Sequence, residues 1–499
     1  MPPLPLANLL GVEPIPQEAK IEVLSDGILL NIFHHCLGAT PQIWPTPAWV
    51  CQRWRRIVFA SPLHPNLRLN RTYGRPKGEP ILKNPGCWPA LPIIVQYGGY
   101  PNLDPPAPED YEVIVAALKQ SGRFSSISLT VTSTLLEKIF TIERPFWQLE
   151  SLNLMSQDSV ALTLPSAFRR GPCLRCLHLT RITFTSLLPL LFSSRNLVDL
   201  HLYEVIHPQH VSPEILVNAL SGMVHLRSLS LHFLFTVNYI GISPPSKKRV
   251  VLPDLTSLNF QGITRYLEYV VARIDAPCLG DIEVTILNEH FSEFSKLSEF
   301  INRIEMHKSH HRADILLSER GISISLIQPG ASTYIKLQSF FEPLHVRLYF
   351  LDQICNHWSA FLSGVEDLCI GATGQSLATW SGRGPWLRPL NPFKSVKRIH
   401  VAGSNSTNIV RALHLAESQH ENVLPSLHTL LAPEPRPHLR EAVVSFMVSR
   451  RLSGHPITVY YEPLYRTIEP GGTGTMSAQC HYHLALTGWS RTYFPRGNH

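Results

Sequence analysis

Leucines recur along residues 123–462 in the pattern L-x-x-L-x-L. The unit is complete at 149–154, 174–179, 197–202 and 226–231, and at 255–260 Phe260 closes it. Weaker copies stand at 124–129, 279–284, 365–370, 396–401 and 427–430. Start-to-start spacings through Leu279 are 25, 25, 23, 29, 29 and 24; after a gap of 86 they are 31 and 31. Alternating apolar and polar positions at the end of each unit fit a short strand with one face inward. One such strand cannot bury its apolar face alone, whereas a stack joined by return segments can. The pattern predicts one continuous array of parallel strands with helical returns. In it Leu152, Leu177, Leu200, Leu229 and Leu258 are buried. The rival reading is a set of unrelated amphipathic strands in another α/β fold.

Residues 21–68 follow a helical period instead. Leu24, Ile28, Ile32 and Phe33 recur on one stripe, with Cys36 and Leu37 a turn later. Asp26 is placed to cap that helix, and Gly38 followed by Pro41 to stop it. A second helical stretch after Pro47 carries Val50, Trp54 and Ile57 on one stripe and Arg53, Arg55 and Arg56 elsewhere. Ser61-Pro62 ends it. Residues 1–20 hold five prolines and read as a flexible leader. Residues 69–122 read as a Pro/Gly-rich linker with one helix near 109–119. Residues 463–499 form a tail whose aromatic residues Trp489, Tyr493 and Phe494 have no evident role.

Composition narrows the classes. Of 499 residues, 44% are hydrophobic and 16% charged, so the chain is not a solvated, disordered polymer. The 42 prolines fit many short elements separated by turns. Net charge is +7, and the densest basic run, Lys247-Lys248-Arg249, reads as a solvated loop or a weak nuclear-import signal. No basic stripe is interleaved with aromatics, so nucleic-acid binding is not expected. Nine cysteines without framework spacing fit reduced thiols in an intracellular protein. The leader lacks a basic n-region and is not expected to be a secretory signal. The apolar stretch 229–237 is broken by His232 and falls short of the ~20 residues a membrane helix needs. A soluble protein of the cytoplasm, the nucleus or both is expected.

Few constellations carry chemistry. Pro172-Cys173-x-x-Cys176 matches half of a zinc-deaminase signature, but no H-x-E precedes it. No second Cys pair accompanies it, so both cysteines read as structural. Cys480-His481-x-His483 is a weaker metal lookalike. The chain has no P-loop, G-x-G-x-x-G, H-E-x-x-H or G-x-S-x-G. No catalytic residue, metal or cofactor is expected.

The residues between the last two repeat leucines should form a column: Asn153, His178, His201, Ser230, Asn259, Glu283, Cys369 and His400. Parallel strands ~4.8 Å apart would line them along one exposed surface. That surface is either a solvated face or a recognition surface. In the second case Asn153, His178, His201, Tyr203, His232 and Asn259 are the target-binding candidates, with Asp199, Ser230 and Gln261 beside them. Tyr203 is the best single anchor, because tyrosine brings both apolar area and a hydroxyl.

The segment Val23-Leu24-Ser25-Asp26-Gly27-Ile28-Leu29-Leu30-Asn31-Ile32-Phe33 resembles the opening of an F-box. Trp49-Val50-Cys51-Gln52-Arg53-Trp54-Arg55-Arg56-Ile57 resembles its later signature, and Ser61-Pro62-Leu63 its close. The whole chain is similar to F-box proteins with degenerate leucine-rich repeats, of the type common in mushroom-forming fungi. Ser25, Gly27 and His64 stand where that family usually has Pro, Glu and Trp. The repeats lack the usual Asn or Cys three residues after the last leucine, which argues for a flatter, irregular array.

The resemblance implies an α/β protein with an F-box over 21–68 and a leucine-rich-repeat-like solenoid over 123–462. It implies docking on a Skp-type adaptor, and through it on a cullin, with Leu24, Ile28, Leu29, Ile32, Phe33 and Trp54 as interface or module core. The repeats would hold a protein target for ubiquitin transfer. The alternatives are an interaction scaffold without ligase association and an enzyme with a divergent site.

Overall fold

A computed structural model describes residues 21–39, 50–60, 93–97, 114–115, 118–119, 124–142, 145–158, 163–205, 213–233, 249–287, 294–304, 310–318, 321–328, 334–339, 344–372, 387–418, 423–434 and 436–462. The leader, most of the expected linker, the 247–248 lysines and the tail lie outside the described residues. No helix among the described residues is long and apolar enough to cross a membrane.

Two helices form near the start, α1 (Asp26–Ala39) and α2 (Gln52–Ala60). Ser25, not Asp26, supplies the side-chain oxygen at the first turn: Ile28 N donates to Ser25 Oγ at 3.4 Å. Asp26 is used between the helices instead. Arg53 Nε and Nη2 donate to its Oδ1 at 3.0 and 2.7 Å, and Nη2 also reaches the Leu24 carbonyl at 2.6 Å. Gly38 does not stop α1, which continues one residue past it.

The strands are β1 (Ile93–Tyr97), β2 (Phe124–Val131), β3 (Ser151–Ser156), β4 (Cys176–Thr180), β5 (Asp199–Val205), β6 (Ser228–Phe233), β7 (Val250–Val251), β8 (Ser257–Gly262) and β9 (Ile274–Asp275). They continue as β10 (Asp281–Ile286), β11 (Arg312–Leu317), β12 (Ile322–Ile327), β13 (Tyr334–Ser339), β14 (Asp367–Ala372), β15 (Arg398–Ala402), β16 (Thr429–Pro433) and β17 (Thr458–Glu462). Among the described residues, fifteen of them make one open sheet, ordered β1-β2-β3-β4-β5-β6-β8-β10-β13-β12-β11-β14-β15-β16-β17. β7 and β9 pair separately.

From β2 to β10 the repeat sets the geometry. Each L-x-x-L-x-L leucine meets the same leucine of the next unit: Leu152, Leu177, Leu200, Leu229 and Leu258 are successive register partners. All five are at most 2% exposed, as a stacked array requires. Fully burying a leucine is worth ~1.5–3 kcal/mol, so the row forms a continuous stabilising spine. Helical returns such as Ser133–Phe140, Phe184–Ser193, Pro213–Leu220 and Thr264–Arg273 join the same hydrophobic core. Thr132 caps the first of these, its Oγ1 accepting from Leu135 N at 3.3 Å.

The array departs from the expected all-parallel order in its middle. After β10 the chain passes through the helix Ser295–Asn302 and lays down β11 three positions away. It then returns as β12, antiparallel to β11, and β13, antiparallel to β12, which closes against β10 in parallel. This meander fills the 86-residue gap between leucine units. The sheet also begins earlier than the repeat pattern predicts, because β1, within the expected linker, pairs in parallel with β2. β17 ends it at Glu462.

Candidate functional site: the outer strand face

The same alternation that sends the leucines inward sends the intervening residues outward. Asn153, His178, His201, Ser230, Asn259 and Glu283 follow one another as register partners from β3 to β10, but Ser230 is buried at 4% exposure, so the expected exposed column is interrupted there. Cys369 and His400 pair further along. Between them stand Lys336, Ser325 and Asp314, supplied by the meander and missed in the sequence because its strands carry no L-x-x-L-x-L unit. The row therefore crosses the whole sheet.

The face divides by charge. Its later half is charged and internally satisfied. Lys336 Nζ donates to Glu283 Oε1 at 2.7 Å, Arg312 Nε to Asp314 Oδ1 at 2.8 Å, and Arg398 pairs with Asp367. The earlier half, around β4–β6, is aromatic, with Asp199 the acidic residue beside its rings. The His178 and His201 rings meet edge to face with centroids 4.2 Å apart. Tyr203 lies parallel to His201 at 6.0 Å and meets His232 edge to face at 4.5 Å. Tyr203 Oη stands 3.4 Å from His201 Nδ1, and Ser228 Oγ 3.5 Å from His201 Nε2. All six target-binding candidates lie on this face: Asn153 is exposed, and His178, His201, Tyr203, His232 and Asn259 are half-buried.

Partial burial disfavours the imidazolium form and lowers all three histidines below their ordinary value. Neighbouring Asp199 offsets this in part at His178 and His201, while the adjacent His178 lowers His201 further. Among the described residues, His232 Nε2 is buried without a hydrogen-bond partner. The three imidazoles are thus neutral at pH 7, offering ring faces and hydrogen-bonding atoms beside Asp199.

A bulge shapes it. β5 and β6 keep register through Leu202 and Leu231, slip, and resume at Val205 and Phe233. Glu204 in the slipped stretch has φ 49°, and Arg181, just after β4, has φ 60°. Such backbone costs a non-glycine residue of order 1–2 kcal/mol. No glycine marks the spot, so the bulge has no local signature among the residues that form it.

Burial in the helical module separates roles that helical spacing left merged. Leu29 and Phe33 are 0% and 3% exposed, and Trp54 packs on Phe33 with centroids 4.8 Å apart. Ile28 and Ile32 are 50% and 38% exposed, one helical turn apart on α1. Leu24 is half-buried.

The C-x-x-C pair does not act together. Cys173 is exposed, while Cys176 donates to Asp199 Oδ2 at 3.4 Å, and burial with that bond pushes its thiol up to about 11. Among the described residues no three His, Cys, Asp or Glu side chains gather in a metal-binding group. No protein-family model matches the sequence, and no curated protein matches it either.

Proposed function

We propose that the chain is a substrate-recognition adaptor of an SCF-type, cullin-RING ubiquitin ligase. The observation that carries this reading is the split within residues 21–60. Leu29, Phe33 and Ile57 are buried, while Val23, Ile28, Ile32 and Val50 are exposed large apolar residues. A small helical module that keeps its own core and still presents aliphatic side chains is suited to helix-in-groove docking on a Skp-type adaptor. The resemblance of this segment to an F-box supplies the partner's identity. The outer face of the sheet, at β4–β6, then serves as the target-binding surface. Catalysis would be by positioning: a held target meets the ubiquitin-conjugating enzyme at high effective concentration, with no bond chemistry in this chain.

The test is retention of a purified Skp-type adaptor by the full chain, compared with Ile28→Asp/Ile32→Asp. Retention by the parent and loss in the variant, with unchanged thermal stability, supports the reading. An intact parent that retains no adaptor overturns it and leaves an interaction scaffold without ligase association.

A further inference from the structure

Among the described residues β17 is an outermost strand of the sheet and pairs, in parallel, with β16 alone. Val459 and Tyr461 lie on its inward side, opposite Leu430 and Ala432, which are both 0% exposed. Tyr461 is nonetheless 41% exposed, so the core layer is open at this end. The helix Pro437–Leu452, which leads into β17, is open on the same side. Leu439, Ala442, Val443, Phe446 and Arg450 are buried, and Arg450 ties the helix to Glu417 of the preceding one. On the other side of the helix Val444, Val448 and Leu452 recur every four residues as one stripe, 52%, 53% and 83% exposed. An unpaired strand edge beside an apolar stripe is where the next unit of an array would pack.

We propose that a second copy of this chain takes that place, forming a two-fold dimer through β17 and the helix Pro437–Leu452. An axis perpendicular to the sheet lays β17 antiparallel to its counterpart and keeps the two helices in one layer. The argument for this occupant is that the helix face is complementary to itself. With the axis level with Phe446, Val444 meets Val448 of the second copy. The same axis sets Glu441 against Arg451 of the second copy, and Arg451 against Glu441, which makes two opposite-charge pairs from exposed residues. It also directs Leu452, six residues beyond Phe446, toward Arg440, six before it. Arg440 lines an open hollow of about 510 Å³ with Pro437, Glu441 and Val444, and the protruding leucine fills it.

The strand accommodates that axis. Phe446 lies ~9 Å along the helix from Leu452 and Tyr461 ~10 Å along β17 from Thr458, and residues 453–457 join those two ends. The two Tyr461 rings then meet across the axis and cover the open core from both sides. Both outer strand faces look the same way, so on the function proposed above the dimer presents two target sites side by side.

Sedimentation equilibrium of the purified full chain at micromolar concentration tests the proposal. The parent should show twice the mass of one chain. Val444→Glu/Val448→Glu should be monomeric with an unchanged melting temperature. Glu441→Arg sets like charges against each other and should weaken the dimer on the order of tenfold. Adding Arg451→Glu should restore it, a rescue that only contact between two copies of this face produces. Truncation after Glu462 should leave the dimer intact. A monomeric parent overturns the proposal, and association that appears only on truncation assigns the face to residues 463–499 instead. Association that survives the glutamate pair, or a charge exchange that does not rescue, places the contact elsewhere and also overturns it. Neither adaptor nor target takes part, so the outcome is separate from that of the adaptor test.

Discussion

Arg181, just after β4, and Glu204, on the neighbouring β5, both hold left-handed backbone, and their side chains form an ion pair with each other. The pair fixes the slipped stretch of β5, and Arg181 N also donates to the Tyr203 carbonyl at 3.0 Å. Tyr203 is thereby set between His201 and His232. Two residues that would each relax elsewhere are held in place by one another, and the arrangement they hold is the centre of the candidate site.

Comparing Glu204→Gly with Glu204→Ala tests this directly. Both lose the ion pair, but only alanine keeps a Cβ in left-handed backbone. The glycine variant should be the more stable by ~1 kcal/mol in chemical denaturation. A glycine variant equal to or weaker than alanine would show that the bulge is not formed as described.

Acid should weaken both the fold and the outer face. His178, His201 and His232 are held below their ordinary 6.5 by burial, so the folded state resists their protonation. Groups with depressed basicity contribute full stability above the unfolded value, and that contribution falls as pH drops through the folded values. Asp199, Glu204 and Glu283 are the acidic groups around them, and Cys176 faces the same region. The histidines' contribution to the denaturation midpoint should hold level above about pH 6.5 and decline below it. Replacing the three histidines by glutamine should flatten part of that decline. A slope unchanged by the triple replacement would assign it to other groups.

Glu268 has the opposite sign. It accepts from Lys296 N at 2.8 Å and Leu297 N at 2.9 Å, yet burial pushes its carboxyl up to about 7 from an ordinary 4.5. A carboxyl raised in the folded state contributes stability below its unfolded value that is lost as pH rises through the folded one. Glu268→Gln keeps an accepting oxygen without the charge. Its melting temperature should gain on the parent between pH 4.5 and 7 and hold its advantage above. A gap independent of pH would contradict the shifted carboxyl.

Arg450 and Glu417 are buried together, at 3.0 Å, and Arg450 Nη2 also donates to the Leu427 carbonyl at 2.9 Å. Removing one partner strands a charge in a dry site. Glu417→Leu alone should cost ~3–5 kcal/mol, whereas Glu417→Leu with Arg450→Met should recover much of it. Calorimetry of the single and double variants decides. Equal losses would mean the pair is not coupled.

The sheet's inward spine was legible because L-x-x-L-x-L specifies strand, register and face together. Leu177 cannot be buried against Leu200 without placing His178 beside His201. The meander was not legible from that unit. Ile322, Ile324 and Leu326 alternate as any strand would, and nothing local says that β12 runs against its neighbours. Its identity comes from pairings distant in sequence, such as Glu283 with Lys336, 53 residues apart. Nor could spacing divide Ile28 from Leu29, since adjacent residues on one short helix differ in role only through what packs over them. Trp54 was visible as an apolar anchor, but its seat on Phe33 depends on how two helices meet.

The out-of-order meander also sets what the array can gain or lose by duplication. From β2 to β10 each strand of the large sheet pairs only with the strands of the preceding and following repeat units, so a unit of that stretch can be inserted or removed with local repair. β11, β12 and β13 are different. The edge of β10 is covered by a strand made last of the three, and β14 leans on the one made first. Deleting any one of them leaves two others facing the wrong neighbour. The three travel as a block, and they divide two stretches, β2 to β10 and β14 to β17, in which repeat units are added or lost one at a time.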